Sequence, residues 1–172
     1  MEKRILIVNG HPDPRPERFC AALCDAYQLG ANAGGLQTRR LNVGALEHLA
    51  AERTGQSPRD VVQALDDILW AGRLAIVYPL WLDQPPDILR GLFDRLNGAH
   101  AERPAHIVVT MEMPAFMHRS LCRTSRPLAM QALSLPGVKS DTPTLIGSVN
   151  AITGEQRERW LQAIRLYGER GA

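Results

Sequence analysis

Two carboxylates and an imidazole, Asp83, Glu112 and His118, stand in loop-like stretches of this chain. Gathered in one crevice, such groups shift one another's pKa values and suit proton transfer. A second set suits anion binding. His11 and Arg18 flank the proline-stiffened segment Pro12-Asp13-Pro14-Arg15-Pro16, which leads into a helix start. Unpaired N–H groups and the positive end of the macrodipole favour phosphate there. A third candidate is Trp81, within Tyr78-Pro79-Leu80-Trp81-Leu82-Asp83-Gln84-Pro85-Pro86. Its indole offers a flat surface to a planar ligand, and suits a core or subunit contact equally well.

Other patterns are missing. Neither the Gly-x-x-x-x-Gly-Lys-Ser/Thr phosphate loop nor the Gly-x-Gly-x-x-Gly dinucleotide fingerprint occurs. His100 and His106 with Glu102 lack metal-ligand spacing and read as surface histidines, so no metal is expected. Cys20, Cys24 and Cys122 form no Cys-x-x-Cys pair and no even framework, which suits small packing residues in a reducing compartment. Asp66-Asp67 falls in a helix pattern and not after the first strand, which excludes a phospho-receiver. Met111, Met113 and Met117 suit a pliable ligand surface or core filling alike.

The elements that must position these loops follow from hydrophobic period. Ile5-Leu6-Ile7-Val8 is an apolar run of the kind a strand buried on both faces requires, and Leu74 to Tyr78, broken by Pro79, is another. Leu36 to Val43 reads as an edge strand, His106 to Thr110 as a fourth and Thr144 to Val149 as a fifth. Helices lie between them. Phe19, Ala22, Leu23, Ala26 and Tyr27 mark the first, stopped by Gly30 and Gly34-Gly35. Ser57-Pro58 opens the second, with a stripe of Val61, Val62, Leu65, Ile68 and Leu69. Ile88, Leu89, Leu92, Phe93 and Leu96 form the third, ended by Asn97-Gly98. Thr153-Gly154-Glu155-Gln156 has capping-box spacing before a last helix carrying Trp160, Leu161, Ile164 and Tyr167.

Strands alternating with helices predict an α/β domain, a doubly wound five-stranded parallel sheet of order 2-1-3-4-5 with helices on both faces. Ligands in such sheets sit beyond the carboxyl ends of the strands, which gathers the loops at 10–18, 79–86 and 111–118. With 172 residues, 45% apolar and 22% charged, the chain is expected to be one globular domain over residues 1–172, which excludes a fibre or a disordered chain. The net charge of +2 comes from scattered basic residues, so no nucleic-acid footprint is present. No window approaches a membrane span and the opening apolar stretch is too short for a signal, so a cytoplasmic location is expected.

Several segments carry a family resemblance. Ile5-Leu6-Ile7-Val8-Asn9-Gly10-His11-Pro12, Tyr78-Pro79-Leu80-Trp81, Pro86-Asp87-Ile88-Leu89-Arg90-Gly91-Leu92-Phe93-Asp94-Arg95-Leu96 and Thr110-Met111-Glu112-Met113-Pro114 resemble the flavodoxin-like NAD(P)H:quinone oxidoreductases. The resemblance implies a flavin, FMN or FAD, with NAD(P)H as co-substrate. Its phosphate would lie on His11, Arg18, Phe19 and Cys20. Its ring system would meet Pro79, Leu80, Trp81, Leu82 and Asp83 from one loop and Thr110, Met111, Glu112 and Met113 from another. Members of the family pass a hydride from NAD(P)H through flavin N5 to a quinone-like acceptor, and a homodimer is implied, with Trp81, Phe93 and Phe116 as candidate interface aromatics.

The chain also departs from the family pattern. Arg18-Phe19-Cys20 stands where Ser-Phe-Asn is usual, Leu82, Asp83 and Gln84 replace an aromatic and glycines, Glu112 replaces a glycine and His118 a phenol. An alternative therefore stays open: a flavodoxin-like protein with an eroded flavin site, acting as a non-redox binding or regulatory protein. A second form of it is an acid–base enzyme using Asp83, Glu112 and His118, with His118 the candidate catalytic residue.

Overall fold

Three strands are apolar almost throughout, because helices cover both of their faces. They are β1 (Arg4–Asn9), β3 (Arg73–Leu80) and β4 (Pro104–Met111). The computed structural model describes residues 4–46, 59–81, 84–96, 103–117, 139–140 and 143–171. At one edge β2 (Gln37–Asn42) alternates exposed and covered positions, as an edge strand does. The opposite edge is shared by two short strands, β5 (Lys139–Ser140) and β6 (Thr144–Ile146), which pair with successive stretches of β4. Pro104 pairs with Lys139 and Val108 with Thr144, so the two short strands follow one another along the same edge of β4. Every pairing is parallel and the order is β2-β1-β3-β4-β5, as expected from the sequence.

Helix α1 (Phe19–Ala33) and the last helix, α4 (Gly154–Arg170), cover one face. Helices α2 (Arg59–Trp70) and α3 (Asp87–Arg95) cover the other. The α4 capping box forms as its sequence predicts: Gln156 N–H donates to Thr153 Oγ1, and Thr153 N–H donates to Gln156 Oε1.

Some expectations are corrected. Gly30 does not stop α1; it lies inside the helix because a Cβ there would come 1.9 Å from the Arg165 carbonyl oxygen, so a bare backbone lets α4 approach. Pro79 does not break β3. Gly10 N–H donates to the Val77 carbonyl on the β1 side, Pro79 points the same way two residues on, and β1 has ended by then, so no ladder donor is lost. On α2, Val62 and Leu69 are exposed, and the buried face runs through Val61, Ala64 and Ile68. His106 is buried, not superficial: its Nε2 lies 3.0 Å from Thr144 Oγ1 and its ring packs on Tyr167 and Tyr27. The last strand ends at Ile146 because Ser148 takes a left-handed φ of 56° and turns the chain. Ser57–Pro58, Asn97–Gly98, His100, Glu102 and Cys122 lie outside the described residues.

Candidate functional site

Because all strands are parallel, their carboxyl ends share one edge. In the register Asn9 pairs with Val77, Leu80 with Met111 and Thr110 with Ile146, so four exit loops meet there.

The loop after β1 is held by its own side chains. Asn9 Oδ1 accepts from His11 N–H, His11 Nδ1 accepts from Asp13 N–H, and Asp13 Oδ1 accepts from Arg15 N–H. Of the intervening positions Gly10 donates its N–H to the Val77 carbonyl, and Pro12 and Pro14, like Pro16 after them, have no N–H. Polar acceptors alternate with prolines, and the donors at 11, 13 and 15 are all used. Next door, the turn Val43–Ala45 after β2 presses on this loop. A Cβ on Gly44 would come 2.1 Å from the Pro12 carbonyl oxygen, so only glycine permits the contact.

The open donors therefore begin at α1. Its N-cap, Arg18, makes no side-chain cap and its first turn holds no acid, so the amides of that turn lack side-chain acceptors. The N-cap Arg18 and Arg15 on the preceding loop are both gripped by Asp13: Arg15 Nε and Nη2 and Arg18 Nε donate to its carboxylate at 2.6–3.0 Å. That pairing holds Asp13 well below the usual carboxylate range, Arg15 contributing most. His11 is held below its ordinary value, first by burial and then by the charge of Arg18. Accepting at Nδ1, the neutral ring carries its proton on Nε2, so His11 is not the cation its type suggests but keeps one N–H to donate. Beneath the loop Asn9 is fully buried, and its Nδ2 meets no acceptor among the described residues.

Cys20 turns inward. Its Sγ lies 3.4 Å from Thr110 Oγ1, and burial pushes the thiol up to about 11, so the side chain ties α1 to the end of β4 and only the backbone of Cys20 faces the helix start. Phe19 packs under the Arg157 guanidinium, 4.5 Å from the ring centre. On the second loop Trp81 is 48% exposed and meets the His11 ring edge-on at 5.7 Å, which joins the first two loops. Trp81 and Gln84 exchange backbone hydrogen bonds. Leu82, Asp83 and His118 lie outside the described residues.

The third loop is pinned from β6. Val149 N–H donates to the Met111 carbonyl and Ser148 N–H to the Met113 carbonyl, and a Cβ on Gly147 would come 2.2 Å from Ala115 N. Glu112 is exposed and accepts from Asn150 Nδ2 at 3.0 Å. A cleft of about 600 Å³ opens beside this turn, with Gly147, Ser148, Gln156, Arg159 and Trp160 in its walls. Among the described residues no cluster of His, Cys, Asp and Glu could hold a metal.

The model of the Flavodoxin_2 family, described by its flavodoxin-like fold, matches residues 3–167. The chain belongs to this family. Solved structures share the fold. The NAD(P)H:quinone oxidoreductase from Methanothermobacter marburgensis is 20% identical, with a TM-score of 0.74 and 100% of both chains covered. A Klebsiella pneumoniae protein assigned as a quinone reductase is 15% identical, with a TM-score of 0.77 over 96% of this chain and 83% of its own. The NADH:FMN oxidoreductase EMOB in its apo form is 20% identical, with a TM-score of 0.65 over 96% and 88%. No curated protein matches.

Within this flavodoxin-like frame, Asn9, Asp13, Arg15, Gly44, Gly147 and Ser148 shape the site although the sequence assigned none of them a role. One signal was there to read: Asn9, His11 and Asp13 at alternate positions with Pro12, Pro14 and Pro16 between and after them. Gly44 and Gly147 left none, since only the folded neighbours show why they must be bare.

Proposed function

We propose that this chain is a flavin-dependent NAD(P)H:quinone oxidoreductase that works as one flavodoxin-like domain over residues 1–172, with FMN as its cofactor. The observation that carries the reading is the start of α1: amides without a side-chain cap, no acid in the first turn, the guanidiniums of its N-cap Arg18 and of Arg15 held together by Asp13, and an unpartnered buried Asn9 amide at the end of β1. Such a donor set fits a terminal phosphate, and the exposed Trp81 indole next to it fits a planar ring. Bound flavin supplies the redox chemistry, carrying a hydride from NAD(P)H to a quinone-like acceptor.

The residues bind and orient. The Phe19 and Cys20 amides and the Arg18 side chain hold phosphate, while His11 fixes the loop that presents them. Trp81 is proposed to line one side of the ring site, and Glu112 and Met113 the other; Pro79, Leu80, Thr110 and Met111 are buried and support these residues from behind, and Leu82 and Asp83 are proposed contacts that lie outside the described residues. His118 is proposed to hold the proton that the reduced acceptor takes up. The exposed Trp81 and Phe116 support a homodimer with quinone-like substrates entering near the contact, whereas Phe93 of α3, expected at the same contact, is buried in the core. The free buried thiols of Cys20 and Cys24 support a cytoplasmic setting, and no described helix is long and apolar enough to cross a membrane.

Of the three groups in the acid–base alternative only Glu112 is described, and it accepts from Asn150; Asp83 and His118 lie outside the described residues. Initial rates of NADH and NADPH oxidation with a quinone acceptor, with and without added FMN or FAD, test the proposal. Turnover that needs flavin, with parallel double-reciprocal lines, is the expected result. Absence of flavin-dependent turnover with either cofactor would overturn it.

A further inference from the structure

We infer that Asp13 is an internal counter-anion of the phosphate site, which a bound phosphate displaces from Arg15 and Arg18. The inference rests on the reading of the α1 start as a phosphate site and concerns what governs its affinity. Asp13 receives the Nε and Nη2 edges of Arg15 and the Nε edge of Arg18. Such edges are the ones a guanidinium offers to a phosphate in a two-point contact. The same carboxylate makes no cap to the α1 amides, for the helix has none. Asp13 thus satisfies the two cations and leaves the helix donors open.

A phosphate monoester carries nearly two negative charges and three acceptor oxygens. Seated on the α1 amides it offers both guanidiniums a better partner than one carboxylate, and they exchange. Because the two arginines hold Asp13 ionised far below neutrality, acidification within the working range does not open the contact; a competing anion does. The contact lowers phosphate affinity, and it keeps two cations ordered at the helix start while no ligand is bound.

Asp13→Asn isolates the charge, since an amide oxygen still accepts from Arg15 N–H as Asp13 Oδ1 does now. Asp13→Ser, with a shorter acceptor, serves as a second variant should the first fold poorly. The primary probe is inorganic phosphate, followed by calorimetric titration and by the midpoint of thermal unfolding. Each variant is expected to bind it about fivefold more tightly than the wild type, an exposed ion pair's worth, with a gain that shrinks as sodium chloride is raised. Unchanged or weaker phosphate binding in the variants that fold overturns the inference. FMN and riboflavin titrated in parallel separate this from the flavin reading. A gain for FMN and none for riboflavin supports both. A gain for inorganic phosphate in a protein that binds neither flavin supports the role of Asp13 and refutes the flavin.

Discussion

Gly44→Ala should damage the phosphate site without touching it. Its added Cβ would stand 2.1 Å from the Pro12 carbonyl oxygen, 2.5 Å from the Pro12 carbonyl carbon and 2.7 Å from the His11 carbonyl oxygen, all backbone atoms that cannot rotate away. Ordinary contact begins near 3.4 Å, so the loop or the turn must retreat by roughly 1 Å, the scale at which bound geometry is lost. Loss of one charge-assisted hydrogen bond is worth about 2 kcal/mol, roughly 30-fold in the dissociation constant of FMN. Quenching of flavin fluorescence on titration reads this directly. Gly91→Ala is the control: a Cβ there meets nothing within 4 Å, so FMN binding should stay unchanged while helix propensity adds about 0.5–1 kcal/mol of stability. Wild-type FMN affinity in a folded Gly44→Ala protein would refute the reasoning, because the pressed loop would then not be what presents the phosphate donors.

Three further outcomes are expected. His11 accepts from Asp13 N–H only while neutral, and burial with the Arg18 charge lowers its pKa from 6.5. The bond is therefore present above that ordinary value and lost as pH falls through the lowered one, so FMN affinity should hold above pH 6.5 and fall on further acidification. In His11→Asn, whose amide oxygen can take the same N–H, the acid fall should shrink to what protonation of the FMN phosphate at about pH 6 causes by itself, and an acid limb as deep as the wild type's would contradict the assignment. Gly30→Ala places a Cβ 1.9 Å from the Arg165 carbonyl oxygen and should cost about 3 kcal/mol by urea unfolding, whereas a change under about 1 kcal/mol would show that α1 and α4 are not in that contact. Burial raises Cys20 to about 11 and raises Cys24 as well, so in a Cys122→Ser protein both should resist an aromatic disulfide reagent at pH 8 until denaturant is added. Rapid labelling of the native protein would place a thiol at the surface.

Strand order and helix order were legible because each rests on a local period. Ile5 to Val8 and Leu74 to Tyr78 are apolar on both faces only in a covered parallel sheet, and alternation with helices then fixes the crossovers. The errors arose where a distant backbone decides. Gly30 reads as a helix stop until Arg165 packs on it, Pro79 as a strand break until the end of β1 is known, and His106 as a surface group until α1 and α4 bury it. The site divided in the same way. His11 and Trp81 were identifiable by type, and they do meet. The charge on Arg18 was legible, but its capture by Asp13 was not, because that contact depends on how three prolines fold the loop back.

The central claim is that the carboxyl edge of this sheet holds a flavin by its phosphate. The most direct measurement is the visible absorption spectrum of the protein after reconstitution with FMN and removal of free ligand by desalting. Retention of the blue-light flavin bands near one equivalent per chain, bleached by NADH or NADPH without air, is the expected result. A colourless protein after reconstitution with FMN, and again with FAD, would contradict it.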